Sequence, residues 1–265
     1  MKEKILTYLP KNHPWQDRII CHENIPSTND LAKSLAKAGA AEGTVVIARE
    51  QSAGRGRMGR SFHAPAGLGL YFSVILRPQC TPDALLHLTC ATGVAVCDAI
   101  EGCSQLRPGI KWINDLVVSN KKLGGILTEL SVDSKTGLVD WAVVGIGINC
   151  CHQMQDFPED LQSIATSLYI AGKDVSPVLL AAHLIQTLYE SNKILLSQRN
   201  NIMERYRLDC ITTGRQVVLV RGDERQYGTA LRVEDDGGLT VHFDNGQVRT
   251  VQSGEVSIRG LYGYL

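Results

Sequence analysis

Apolar and polar positions along this chain fall into two textures. Up to about residue 210, dense apolar runs are separated by polar, glycine-rich islands; after Gly214, short β-type runs follow one another at regular turns. The first predicted helix begins at Ser27-Thr28-Asn29-Asp30, with Ser27 or Thr28 as N-cap. Leu31, Leu35 and Ala38 then keep helical spacing, and Gly39 stops it. Residues 44–50 predict a strand, and the unbroken apolar run Leu70–Leu76 predicts a buried one. Thr81-Pro82 opens a helix to about Ile100, with proline in the first turn. Ile110-Lys111-Trp112 predicts a short strand, and Leu116–Val118 and Ile126–Leu130 flank a turn at Ser119-Asn120, a hairpin signature. Leu138–Ile148 predicts a strand whose internal Gly145 and Gly147 let something pack directly on its backbone. Ser163 to Leu208 reads as helical: Ser176-Pro177 caps a helix reaching Leu196, and another follows near Ile202 to Leu208. Residues 1–26, interrupted by Pro10, Pro14 and Pro26, are too short and broken for a helix-turn-helix module.

Beyond Gly214, β-type runs at Gln216–Val220, Tyr227–Val233, Leu239–Phe243, Gln247–Val251 and Val256–Arg259 alternate with Gly- and Asp/Asn-rich turns. Such short strands predict a small barrel. The fold class is therefore α+β, with a mixed-sheet domain over residues 1–210 and a barrel over 211–265.

Composition narrows the partners. The formal net charge is zero, so outside the Gly-Arg loop there is no basic excess of the kind nucleic-acid binding needs. No uninterrupted apolar run reaches membrane-spanning length and the N-terminus lacks a secretory segment, which reads as a cytoplasmic protein without a membrane partner. The eight cysteines include no CxxC pair and several lie in apolar periodic segments, as buried reduced thiols do.

Candidate chemistry concentrates at the ends of the predicted elements. Gln51-Ser-Ala-Gly-Arg-Gly-Arg-Met-Gly-Arg60 alternates glycine with arginine after a strand, the composition of an anion-wrapping loop or of a basic RNA tether. The other islands are Ser27-Thr28-Asn29, Lys111-Trp112-Ile113-Asn114-Asp115, Lys122-Leu123-Gly124-Gly125 and Gly145-x-Gly147-x-Asn149. No Ser/His/Asp order, metal cluster or Walker A pattern is present in the sequence. Cations with one acid, Asp115, and no protein nucleophile suit nucleotidyl transfer to a substrate carboxylate.

In that order, STN, EQSAGRGRMGRSF, GIKWINDL, KKLGGIL and VVGIGIN closely resemble the biotin–protein ligases over residues 27–149. The segment Gly214–Tyr264 is similar to that family's SH3-like C-terminal domain. The resemblance implies a monofunctional enzyme that uses biotin and Mg2+·ATP to form biotinyl-5′-AMP, then acylates a lysine of a biotin carboxyl carrier domain. It implies biotin contacts at Ser27, Thr28, Asn29, Gln51, Arg55, Gly56, Arg57, Lys122, Gly125 and Gly147. It implies nucleotide contacts at Arg57, Arg60, Phe62, Asn114, Asp115 and Asn149, metal at Asp115, and catalytic roles for Lys111, Asp115, Lys122 and Arg57. Two departures stand out: Phe62 replaces a common tryptophan, and Ile113 replaces the proline of KWPND.

Three other readings compete. A lipoate or octanoate ligase would want an apolar pocket without a polar closed end. A biotin-sensing transcriptional regulator needs an N-terminal winged helix-turn-helix, and only 26 residues precede Ser27. A nucleic-acid module using the GRGR loop is opposed by the neutral charge.

Overall fold

The computed structural model describes residues 1–252 and 257–260. Strands β1 (Ile19–Ile25), β2 (Val45–Gln51), β3 (Gly69–Leu76), β4 (Gly109–Lys111), β5 (Asp115–Val118), β6 (Lys121–Val132) and β7 (Val139–Asn149) form one sheet in the order β1-β2-β3-β7-β6-β5-β4. β1 runs parallel to β2, and every other pairing is antiparallel. β3 is buried at every position, as its apolar run requires. The β5–β6 hairpin turns at Ser119 and Asn120, both at positive φ, which matches the twist of the strands it joins.

Helices cover both faces. α1 (Lys2–Tyr8), α3 (Leu88–Ser104), α5 (Pro177–Ile194) and α6 (Arg199–Asp209) bury the larger core. α2 (Thr28–Lys37) packs on the opposite face, where Ala32 and Ala36 meet Val46, Ile75, Trp141 and Val143. A short α4 (Glu159–Gln162) precedes a stretch of turns. Strands β8 (Gln216–Arg221), β9 (Glu224–Val233), β10 (Leu239–Phe243), β11 (Val248–Val251) and β12 (Ser257–Gly260) make a second, antiparallel sheet in the order β11-β10-β9-β8-β12. Its inner residues Val217, Leu219, Ala230 and Val241 belong to the same continuous core as α3. The predicted strand start at Val256 and the chain end at 265 lie outside the described residues.

The structure adds to or revises four readings. Residues 1–26 contain α1 and the edge strand β1, which carries no clean alternation: its burial runs from Ile19, buried, to exposed Glu23 and Asn24. Thr81-Pro82 opens a 3-10 turn, Pro82–Leu85, and the α-helix starts only at Leu88. Residues 163–176 are turns rather than helix. The stretch Pro82–Ser104 has the length and apolar content of a membrane span, yet most of it is buried in the protein core. All eight cysteines are free thiols.

Candidate active site

Directly opposed residues on antiparallel strands project from the same face of a sheet. One such row runs Tyr71 (β3), Gly147 (β7), Gly125 (β6), Asp115 (β5), Lys111 (β4). Four inter-strand steps of about 4.8 Å make it roughly 19 Å long. Its middle carries no side chains and its far end carries an acid and a base. The adjacent row is Ser73, Gly145, Leu127. Together they floor a narrow cleft beneath the N-terminus of α2 and the Gly-Arg loop.

The closed end is polar and tightly connected. Ser27 caps α2, its Oγ accepting from the Asp30 amide at 3.3 Å. Gln51 Oε1, at the end of β2, accepts from the Thr28 amide at 2.8 Å and from Thr28 Oγ1 at 3.0 Å. Ser73 Oγ lies 2.6 Å from Asn29 Oδ1 and 2.8 Å from Thr28 Oγ1; its single proton serves one of them at a time. Asn29 Nδ2 donates to Leu127 O at 3.3 Å and Glu129 Oε2 at 3.0 Å. Gly145 makes room for this amide, since a Cβ there would stand 1.9 Å from Asn29 Oδ1.

The Gly-Arg loop is a small hairpin. Arg55 bridges Ser61, the Gly56 amide donates to Arg60 O at 2.7 Å, and the Phe62 amide donates to Gly54 O at 2.8 Å. A 3-10 turn at Arg57–Gly59 forms its tip. Arg57 Nη1 reaches inward to Asn114 Oδ1 at 3.0 Å, and burial lowers its proton affinity although Asp115 opposes the shift. With arginine's ordinary value above 12, it remains a cation. Lys122 Nζ pairs with Asp115 Oδ1 at 2.8 Å, and Asn114 Nδ2 donates to the same carboxylate at 3.3 Å and to Ile126 O at 3.0 Å. Lys111 is 9% exposed beside them.

Twelve of the sequence-selected residues thus meet in one cleft, from Ser27 through Gln51, Arg55, Phe62 and Lys122 to Gly147. Lys111 and Asp115 stand at the charged end of its floor. Three residues are placed differently from the simplest expectation. Arg60 is exposed on the outer leg of the hairpin. Asn149 is buried, its Nδ2 donating to Thr166 O at 2.9 Å, and does not line the cleft. The Phe62 ring lies on Gly147, where a Cβ would come within 2.7 Å of it, and meets Tyr71 edge-on at 6.3 Å. It occupies the glycine floor rather than a separate nucleotide end. Trp112 is core, 4% exposed.

Residues 22–149 match the Biotin/lipoate A/B protein ligase family. The bifunctional ligase/repressor BirA of Bacillus subtilis is 32% identical over 263 residues, 97% of this chain and 79% of that protein. The chain belongs to this family. The biotin–[acetyl-CoA-carboxylase] ligase of Mycobacterium tuberculosis is also 32% identical, over 87% of this chain and 85% of its own. Among solved structures, the biotin protein ligase of Aquifex aeolicus in complex with biotin and ATP superposes with a TM-score of 0.76 at 29% identity, covering 91% of this chain and 98% of that one. This chain, with its mixed sheet and second antiparallel sheet, shares the fold of that structure.

Two contributors to this cleft escaped the sequence reading. Ser73 is a fully buried serine inside an apolar strand, and that conflict with burial was the available signal. Glu129 sits in a hairpin arm 100 residues from its partner Asn29, and nothing local marks it.

Proposed function

We propose that this protein is an ATP-dependent biotin–protein ligase acting in the cytoplasm. The observation that carries the reading is the floor of the cleft. A polar, enclosed end at Ser27-Thr28-Asn29, Gln51 and Ser73 is followed by side-chain-free backbone at Gly125 and Gly147, then by Lys122, Asp115 and Lys111. A bicyclic urea needs donors and acceptors at one fixed edge, its valeryl tail needs a smooth trench, and its carboxylate needs cations at the far end. Biotin satisfies all three in order. The names of the M. tuberculosis and A. aeolicus relatives support the same substrate.

In this proposal Ser27, Thr28, Asn29 and Gln51 hold the ureido ring, and Gly125 and Gly147 pass the tail. Lys122 and Arg57 offset charge on the biotin carboxylate and the α-phosphate of ATP. One carboxylate oxygen attacks the α-phosphorus and the bond to the β-phosphate oxygen breaks, giving biotinyl-5′-AMP and pyrophosphate. A lysine amine of a biotin carboxyl carrier domain then attacks the acyl carbon, loses a proton and expels AMP. Lys111, Asn114 and Asp115 hold the phosphate end, with Arg57, Arg55 and Gly56 closing the hairpin over the adenylate so that water does not intercept it. Phe62 leaves Gly147 to cover the nucleotide, and Asn149 and Arg60 join only after that movement.

Among the described residues, no three His, Cys, Asp or Glu side chains converge as a metal cage. Asp115 with Asn114 beside it suits an Mg2+ that arrives on ATP, since this ion keeps several waters and binds through one or two carboxylates plus phosphates. Bound there, it would offset triphosphate charge.

A lipoate or octanoate ligase is the second reading. It is opposed by the polar closed end, whose hydroxyl and amide groups at Ser27, Thr28, Asn29, Gln51 and Ser73 suit a ureido ring and offer an apolar acid little to pack against. The test of the proposed sequence is a single-turnover reaction with biotin and ATP, followed by addition of a biotin-carrier domain. Isolation of biotinyl-AMP that then disappears as the carrier gains one biotin is the expected result. Carrier labelling with no adenylate at any time would refute the two-step order.

A further inference from the structure

The backbone that carries Lys111, Asn114 and Asp115 is held by groups far from it in sequence. Where the chain leaves α6 for β8, residues 210–212 run alongside β4. Cys210 bridges Ile110 in parallel, and the Ile211 amide donates to Ile110 O at 2.9 Å. The approach is close enough that a Cβ at Gly109 would stand 2.5 Å from Ile211 Cγ2. One residue on, the Trp112 amide donates to Thr212 Oγ1 at 2.8 Å. On α6, the Tyr206 hydroxyl donates to Ile113 O at 3.2 Å. From β6, the Ile126 amide donates to Asn114 O at 2.9 Å. Ile110, Trp112, Ile113, Tyr206 and Thr212 are each at most 5% exposed, so water does not replace a lost partner.

We infer that Thr212 and Tyr206 are positioning residues that set the phosphate end of the cleft through the backbone of residues 111–114. The inference deepens the ligase reading and rests on it for the identity of the nucleotide. Lys111 stands between two main-chain groups, Ile110 O and the Trp112 amide, that both bond to residues 211–212. That fixes where its side chain leaves β4. Asn114 follows Ile113, whose carbonyl Tyr206 holds, and is itself bonded to Ile126. Neither Thr212 nor Tyr206 lines the cleft, so each acts through that backbone. The polar closed end is separate. Thr28 and Gln51 sit on α2 and β2, and four strands lie between β2 and β4 in the sheet. Charge stabilisation of phosphate depends on groups placed beforehand, and a small displacement of Lys111 or Asp115 forfeits part of it. Loss of either hydroxyl therefore acts on ATP and spares biotin.

The test compares Thr212→Val, Thr212→Ser and Tyr206→Phe in the full-length protein, by pyrophosphate release and by hydrogen exchange of the 110–116 peptide. Valine keeps the shape of threonine without the acceptor, serine keeps the acceptor, and phenylalanine removes only a hydroxyl. In Thr212→Val, kcat/KM for ATP should fall about 10- to 100-fold and the peptide should exchange faster. Equilibrium affinity for biotin, measured without ATP, should move by less than about twofold, since the closed end is untouched. Thr212→Ser should return to within about threefold of wild type, and Tyr206→Phe should lose about three- to tenfold in kcat/KM for ATP. If Thr212→Val loses its cooperative melt, Tyr206→Phe, with its ring intact, carries the test. A lower melting temperature with kcat/KM for ATP unchanged would assign both hydroxyls to stability alone and overturn the inference. Biotin affinity falling by the same factor, or serine failing to restore use of ATP, would overturn it as well. A wild type that releases no pyrophosphate with biotin, lipoate or octanoate, together with faster exchange in Thr212→Val, would sink the ligase reading and leave the placement of the turn standing.

Discussion

Gly145 is the residue on which the polar end of the cleft turns. A Cβ there would overlap the Asn29 amide at 1.9 Å, and the contact cannot relax cheaply because Asn29 is held by Ser73, Leu127 and Glu129. Gly145→Ala should therefore destabilise the fold by about 1–3 kcal/mol and raise KM for biotin, measured by urea unfolding and steady-state kinetics. An alanine variant with native stability and KM would show that Asn29 is not confined. In the proposed reaction Lys122 acts at the other end. Lys122→Ala removes one preorganised cation from the developing phosphate charge, and adenylate formation should slow by about 100-fold in single-turnover assays while the protein stays folded. The placement of these two residues at the cleft was legible in the sequence because it rests on residue type: only glycine fits a floor, and a lysine beside a glycine pair offers a cation at its end. Ser73 was not legible, since a serine in an apolar run shows no partner until the strands are paired.

At the scale of elements, α2 begins where the Ser-Thr-Asn-Asp sequence places it. Ser27 is the N-cap, and its loss to alanine should cost about 1 kcal/mol of stability by removing the acceptor for the Asp30 amide. The same substitution should weaken biotin binding beyond that figure, because the cap residue also lines the cleft. The β5–β6 hairpin and β3 were equally visible, from a turn dipeptide and an apolar run. β1 was not. It is a parallel edge strand with exposed Glu23 and Asn24, and its identity comes from pairing with β2 rather than from its own pattern. The Gly-Arg loop was recognisable as chemistry but not as a hairpin, because its Arg55–Ser61 bridge joins residues whose composition signals only flexibility.

The whole molecule ties the phosphate end of the cleft to the second sheet. Trp112 follows Lys111, its amide donates to Thr212 Oγ1 at 2.8 Å and its Nε1 to Gly237 O at 2.9 Å in the turn after β9. Arg207 on α6 donates to Val233 O at 2.7 Å nearby. The hydrophobic core is continuous across both sheets, so the C-terminal segment supports the Lys111–Asp115 turn through packing that sequence periodicity could not reveal. Trp112→Phe leaves the Gly237 carbonyl without its donor and should raise KM for ATP more than KM for biotin. Stability also carries a pH signature. His152 is fully buried, stacked on Phe157 at 4.9 Å, and burial, with His63 adding repulsion, lowers its pKa to about 4. The unfolded chain binds this proton more tightly, near 6.5, so the contribution is full above pH 6.5 and is lost as pH falls towards 4. The loss should approach about 3 kcal/mol over that window, and His152→Gln should flatten it in urea titrations at pH 4.5, 5.5 and 7.

The central claim is that this cleft reads a ureido ring ahead of a carboxylate, and pyrophosphate release from ATP with biotin, lipoate and octanoate offered in parallel tests it most directly. The polar closed end predicts release that depends on biotin and falls to background with the two apolar acids. Release driven by lipoate or octanoate, with biotin inert, would keep the fold and the phosphate site and contradict the substrate.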